Sequence, residues 1–178
     1  GKTYNIENKQ FSAEVWFRRM GPGSILPASK YRDGHIISVS GYREGWRLAT
    51  SYDPSSAIIY AIGGEGGSTK AGSNIRVDAA MPDNMWQHVA VTWDGKEMKL
   101  YLNGKQIAMN KFEKEYTPME RPDFFKVGFA ELGLGSLIMD IDEIVIYNRA
   151  LTPEEIEKLG SGPEGISAKD VFERADGF

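Results

Sequence analysis

The sequence contains no cysteine. Disulfides, thiolate nucleophiles and Cys-based zinc sites are therefore excluded together. Only two histidines occur, His35 and His88, and they share no metal-type local spacing. No apolar run approaches the roughly 18 residues that a membrane span requires. No G-x-S-x-G elbow is present, so serine hydrolase chemistry has no support. The glycine-rich stretch Gly63–Ser73 meets neither G-x-G-x-x-G nor G-x-x-x-x-G-K-[ST], and no helical pattern follows it. It reads as a connection between strands. Basic residues are scattered, and the formal net charge is −4. A nucleic-acid partner, which would need a basic stripe, is not expected. No targeting motif is visible, and the opening Gly reads as the start of an excised domain.

What is abundant is glycine, 20 of 178 residues, above the usual share and suited to many tight turns. Gln10–Arg19 alternates, with Phe11, Ala13, Val15 and Phe17 on one face and Ser12, Glu14, Trp16 and Arg18 on the other. This predicts a half-buried strand. Short strands follow at "HIISVSG", "WRLATSY", "AIIYAIGG" and "NIRVDAAM". From Trp86 to Met109 a three-stranded meander is predicted, turned by Asp94-Gly95 and by Asn103-Gly104. "FFKVGFA" and "SLIMDIDEIVIY" are two further strands.

One helix has clear signals. Thr152 is its N-cap, Pro153 occupies the first helical position, Glu155 completes a capping box and Gly160 ends it. The expected fold is all-β, a two-sheet antiparallel sandwich with one short C-terminal helix. Residues 1–160 form the sandwich. Residues 161–178 read as a tail or linker toward a neighbouring domain, with one short helical possibility around Ala168–Arg174.

Three segments in series, "FSAEVWFRR", "MWQHVAVTWDGKEMKLYLNGKQI" and "IDEIVIYNRALTPEEIEKL", resemble the laminin-G-like jelly-roll domain of the concanavalin A-like lectin/glucanase superfamily. The resemblance covers roughly residues 4–160 and implies two antiparallel sheets packed face to face. One departure is that only "KTYNIEN" remains for the strand that usually precedes "FSAEVW". The superfamily includes sugar binders, adhesion modules, spacers and glucanases, so the resemblance does not by itself imply one function.

The acids of "MDIDEIVIYNRALTPEEI" pose the catalytic question. A retaining glycosidase needs two carboxyl groups about 5–5.5 Å apart across the scissile bond. The glucanases of this superfamily carry them on one strand as Glu-x-Asp-x-Glu or a one-residue variant. Here Asp140 and Asp142 share a face, but Ile144 and Val145 stand where a third acid should fall, and Glu143 points the other way unless a bulge intervenes. Glu154 and Glu155 fall in the first turn of the helix, where their charge suits its dipole. The scaffold reading is preferred. The resemblance also implies a structural Ca²⁺ held by an Asp of the final strand, here Asp142 with Asp140, in oxygen coordination. The other reading of Asp142 is a hydrogen bond to a turn or to Arg149.

His88 sits at the family's Trp-x-His position, where a structural role is expected. Trp46 and Trp93 lie in phase with apolar neighbours and are expected in the core. Trp16, Arg18, Arg47, Arg76, Asp78 and Tyr101 lie out of phase, and Tyr52 follows a strand at a rim. These seven are the candidate ligand contacts, since sugars present C–H faces to aromatics and hydroxyls to Arg and Asp. The leading expectation is a non-catalytic carbohydrate-binding module of an extracellular, periplasmic or cell-surface protein. A spacer or protein-interaction module and a divergent glycoside hydrolase or lyase are the alternatives.

Overall fold

The computed structural model describes residues 10–21, 33–39, 45–51, 57–62, 74–79, 81–111, 125–128 and 138–161. Tyr52, Gly63–Ser73, the "KTYNIEN" segment and residues 162–178 lie outside them. Ten strands are present in this order: β1 (Phe11–Gly21), β2 (Asp33–Val39), β3 (Trp46–Ser51), β4 (Ala57–Ile62), β5 (Asn74–Asp78), β6 (Trp86–Trp93), β7 (Glu97–Leu102), β8 (Lys105–Lys111), β9 (Phe125–Val127) and β10 (Ile138–Tyr147). Among the described residues one helix, α1 (Pro153–Gly160), follows. One sheet has the order β10-β1-β6-β7-β8 and the other β5-β4-β3-β2-β9, with every described pairing antiparallel. This is the expected two-sheet jelly roll.

Alternation along the strands builds the core. Phe11, Ala13, Val15 and Phe17 of β1 and Val89, Val91 and Trp93 of β6 are fully buried between the sheets. From the other sheet Trp46, Leu48, Ile58, Tyr60 and Ile62 meet them. Each large apolar side chain removed from water contributes about 1.5–3 kcal/mol before entropic costs. Phe11 and Trp46 stack across the gap with ring centroids 5.0 Å apart. The Tyr60 hydroxyl donates to the Thr92 carbonyl at 3.4 Å. Trp46 and Trp93 are core residues, as their phase required.

The turns follow their residue chemistry. At the β7–β8 hairpin Asn103 has φ 49° and Gly104 φ 78°, the left-handed pair that an Asn-Gly type I′ turn needs. Between β6 and β7 the Asp94 carboxylate accepts from the amides of Lys96 and Glu97 at 2.8 and 2.7 Å, and Gly95 takes φ 98°. Arg19 is in phase with the core residues of β1 and is buried. It donates to the Met81 carbonyl and pairs with Asp83 at 3.4 Å. Its own carbonyl accepts from the Asn84 amide at 2.7 Å, so one buried cation and its backbone tie the lead-in of β6 to the end of β1.

β10 carries a bulge. Trp16 pairs with Asp142 and Glu14 with Val145, so Val15 faces two residues, Glu143 and Ile144. Glu143 has φ 48°. The extra residue switches the inward phase from Met139 and Ile141 to Ile144 and Ile146, all four of which pack on the core. Without it, half of β10 would turn its apolar side to solvent.

Candidate functional site

The β10-β1-β6-β7-β8 sheet presents its outer face in two halves. The half toward Tyr147 is capped by α1. Ala90, Tyr101, Leu151 and Ile156 form a small buried cluster there, with Tyr147 and Leu159 against it. Ser12 ties down the chain that leads into the helix: its hydroxyl donates to the Arg149 carbonyl at 2.9 Å and accepts from the Leu151 amide at 2.8 Å. The capping box is complete, with the Glu155 amide donating to Thr152 Oγ1 at 3.3 Å and the Thr152 amide to Glu155 Oε2 at 2.8 Å. Glu155 also accepts from both terminal nitrogens of Arg149, at 2.6 and 2.8 Å.

That environment lowers the Glu155 carboxyl to about 2, chiefly through Arg149 and then through the Thr152 amide. The stability this gives is present above the ordinary carboxylate value of 4.5 and is lost as pH falls through about 2. Carboxyl NMR titration is expected to find Glu155 ionised well below the ordinary value of 4.5. Arg149→Ala is expected to raise its value toward 4.5, and an unchanged titration would refute the assignment.

Among the described residues no further element covers the half away from α1. Strand register sets Asp140, Arg18 and Trp86 side by side in one row and Asp142, Trp16 and His88 in the next. Arg18 donates through Nε and Nη2 to Asp140 Oδ2 at 2.9 and 2.5 Å. Its guanidinium lies over the Trp86 ring, 5.3 Å from the centroid. The half-buried Trp16 ring rests against His88 with centroids 5.2 Å apart. Asp142 Oδ1 accepts from the Glu143 amide at 2.8 Å, which closes the bulge.

Below this surface His88 is fully buried, and its Nε2 contacts Glu14 Oε2 at 2.9 Å. The Tyr147 hydroxyl donates to Glu14 Oε1 at 2.6 Å. Asn103 Oδ1 accepts from the His88 amide at 2.9 Å, and the Asn103 amide donates to the His88 carbonyl at 2.7 Å. His88 is thus a packed and tethered residue closed off from solvent.

Of the seven expected ligand contacts, Tyr52 lies outside the described residues, and the six that are described do not surround one groove. Trp16 and Arg18 occupy the open half just described. Arg47 on β3 and Arg76 and Asp78 on β5 lie on the outer face of the opposite sheet, with the core between the two groups. Two strand spacings, roughly 10 Å, separate the β3 and β5 positions. Tyr101 corrects the expectation of an open-face tyrosine: it is 1% exposed beneath α1, and burial pushes its phenol up. Phase reading placed it on the outer face but could not reveal that a helix covers that half.

Trp86 was not among the expected contacts. Its signal was its place at the start of the Trp-x-His motif, but its neighbours depended on the β1–β6 register. The two aspartates assigned to calcium have other duties, Asp140 to Arg18 and Asp142 to the bulge amide. Arg149 pairs with Glu155, so of the two alternatives for Asp142 the turn hydrogen bond is present. Among the described residues no group of three His, Asp or Glu side chains could hold a metal ion.

The profile of a laminin G family, described as the Concanavalin A-like lectin/glucanases superfamily, matches residues 2–157. The chain belongs to this family. No curated protein matches the sequence. Solved structures with the same fold include the binding domain of botulinum neurotoxin DC in complex with SialylT, at TM-score 0.65 and 20% identity, covering 92% of this chain and 38% of that one. Another is the binding domain of Paraclostridial Mosquitocidal Protein 1, at TM-score 0.61 and 17% identity, covering 89% and 38%. A third is botulinum neurotoxin type C, whose cell entry is described as dependent on interaction with two ganglioside molecules, at TM-score 0.63 and 22% identity, covering 85% and 35%. The chain spans less than two fifths of the length of each, and at these identities the likeness is one of fold.

Proposed function

We propose that this chain is a non-catalytic, lectin-like carbohydrate-binding module of an extracellular or cell-surface protein, and that it binds at the open half of the β10-β1-β6 face. The observation that carries the reading is the side-by-side placement of Trp16, Trp86, Arg18, Asp140 and Asp142 on rigid strands. Aromatic faces beside hydrogen-bonding groups are the chemistry that recognises a pyranose. Membership of a lectin/glucanase superfamily supports it, as does the occurrence of the fold in toxin binding domains.

The non-catalytic part of the proposal rests on the carboxylates. Asp140 is held by Arg18, Asp142 by the bulge and Glu155 by the helix cap. A glycosidase pair must instead be free to share protons and attack across a cleft. Turnover of any polysaccharide that Asp142→Asn abolishes, with the fold intact, would overturn this part.

A glycan-array screen in calcium and again in EDTA tests the whole reading. A coherent set of bound glycans that survives EDTA is expected. No binding in either buffer would favour the second reading, an interaction or spacer module. Exposed Met20, Met85 and Ile138 at the same end of the sheet favour that alternative.

A further inference from the structure

We infer that the ligand is a neutral pyranoside, stacked on Trp16 and hydrogen-bonded by Asp142 and by the Arg18–Asp140 pair. This rests on the lectin reading above and adds both the ligand class and the roles of the residues. Trp16 is a fixed platform, because the His88 ring behind it is fully buried and held by Glu14, while Asn103 holds the His88 backbone. Such preorganisation spares a binding site the entropy of ordering its side chains.

The polar groups around the platform are also fixed and retain unused hydrogen-bonding capacity. Arg18 commits Nε and Nη2 to one oxygen, Asp140 Oδ2, leaving Nη1 and Asp140 Oδ1 available. Asp142 uses Oδ1 for the Glu143 amide and keeps Oδ2. Two acceptors and one donor thus border the aromatic surface, on register neighbours roughly 5 Å apart across the strands. Ring hydroxyls donate to the carboxylates and accept from the guanidinium.

Charge selects among sugars. Among the described residues of this half, one cation, Arg18, stands against the carboxylates of Asp140 and Asp142, and it is already paired. A carboxylated or sulfated sugar would find no uncommitted positive charge among these residues and would meet like charge at Asp142. A neutral pyranoside meets neither obstacle. The ligand chemistry inferred here therefore differs from that of a sialic acid or uronic acid binder.

The test is an NMR titration of the 178-residue chain, following tryptophan indole resonances. The probes are neutral glucose-, galactose- and mannose-based oligosaccharides, with lactose and sialyllactose as a matched neutral and acidic pair. At least one neutral sugar is expected to shift the Trp16 and Trp86 signals, and acidic counterparts are expected to bind at least fivefold more weakly. Trp16→Ala is expected to weaken binding at least tenfold and Asp142→Asn about threefold. Trp16→Phe should retain part of the affinity, and Arg76→Ala on the opposite sheet should change nothing.

Should Trp16→Ala fail to fold, the exposed Asp142→Asn and the acidic pair still decide. Equal or tighter binding of acidic sugars would overturn the ligand class. Binding lost in Arg76→Ala but unchanged in Trp16→Phe and Asp142→Asn would leave a lectin and overturn this site. No binding to any sugar, in the array or here, would remove the lectin reading and this inference with it.

Discussion

Gly160→Ala is expected to destabilise the fold by about 3 kcal/mol, the upper part of the overpacking range. A Cβ at this position would lie 2.3 Å from the Gly104 nitrogen, 2.5 Å from its Cα and 2.9 Å from the Asn103 carbonyl carbon. All three are backbone atoms of a hairpin turn and cannot rotate aside. Gly104 is constrained from the other side, by φ +78° and, more mildly, by a Cβ that would sit 3.2 Å from the Cα and carbonyl oxygen of Glu157. Helix α1 therefore rests on the β7–β8 turn through two facing glycines. An eight-residue helix is not stable alone in water, so pushing it off the turn would expose Ile156, Leu151 and Tyr101 together. Urea unfolding of Gly160→Ala beside Ser161→Ala checks this. The serine variant loses only its hydroxyl's bond to the Glu157 carbonyl and should cost under about 1 kcal/mol. Equal midpoints for the two variants would show that the contact is not rigid.

The role of Gly160 shows where the sequence was legible and where it was not. Its position correctly marked the end of the helix. Its reason is not local: Gly160 is a helical residue pressed against a turn 56 positions earlier in the chain, with Ser161 as the C-cap. Local chemistry was readable throughout: the alternation of β1, the Asp94-Gly95 and Asn103-Gly104 turns, and the Thr152–Glu155 capping box each depend on neighbours within a few residues. The candidate site depends on register between distant strands. Phase alone put Trp16, Arg18, Arg47, Arg76, Asp78 and Tyr101 out of the core, but a phase does not say which sheet a strand joins or what covers its outer side. The pairing of Arg18 with Asp140, 122 residues apart, has no local signature. Nor does the proximity of Arg18 to Trp86. The bulge at Glu143 was left open by the sequence because it appears there only as a phase change between Ile141 and Ile144.

The second large effect is expected at Glu14, a buried carboxylate that accepts from both His88 and Tyr147. Glu14→Ala should cost about 3–4 kcal/mol, since it leaves a buried imidazole and a phenol without their shared acceptor. Glu14→Gln keeps the volume and one acceptor oxygen and should cost about 2 kcal/mol. Tyr147 reports on the same contact. Its phenol is pushed up to about 12, first by burial and then by the hydrogen bond and charge of Glu14. The fold thus favours the neutral phenol. The stability this contributes is intact below the ordinary phenol value of 10.0 and is lost as pH rises through about 12. Spectrophotometric titration, with Tyr147 assigned by difference against Tyr147→Phe, should therefore find this phenol ionising late in the native chain, and Glu14→Gln should move its ionisation down while leaving part of the burial shift. Tyr147→Phe should remove its own part of the late ionisation, leaving that of the buried Tyr101, and cost about 1–2 kcal/mol. In a double-mutant cycle the Glu14 and Tyr147 substitutions should be less than additive, because each deletes the same hydrogen bond. Additive losses, or an unmoved tyrosine titration in Glu14→Gln, would mean that Glu14 matters through His88 alone. The Trp16 platform would then depend on a single tether beneath His88 instead of a connected set reaching from β10 to β6.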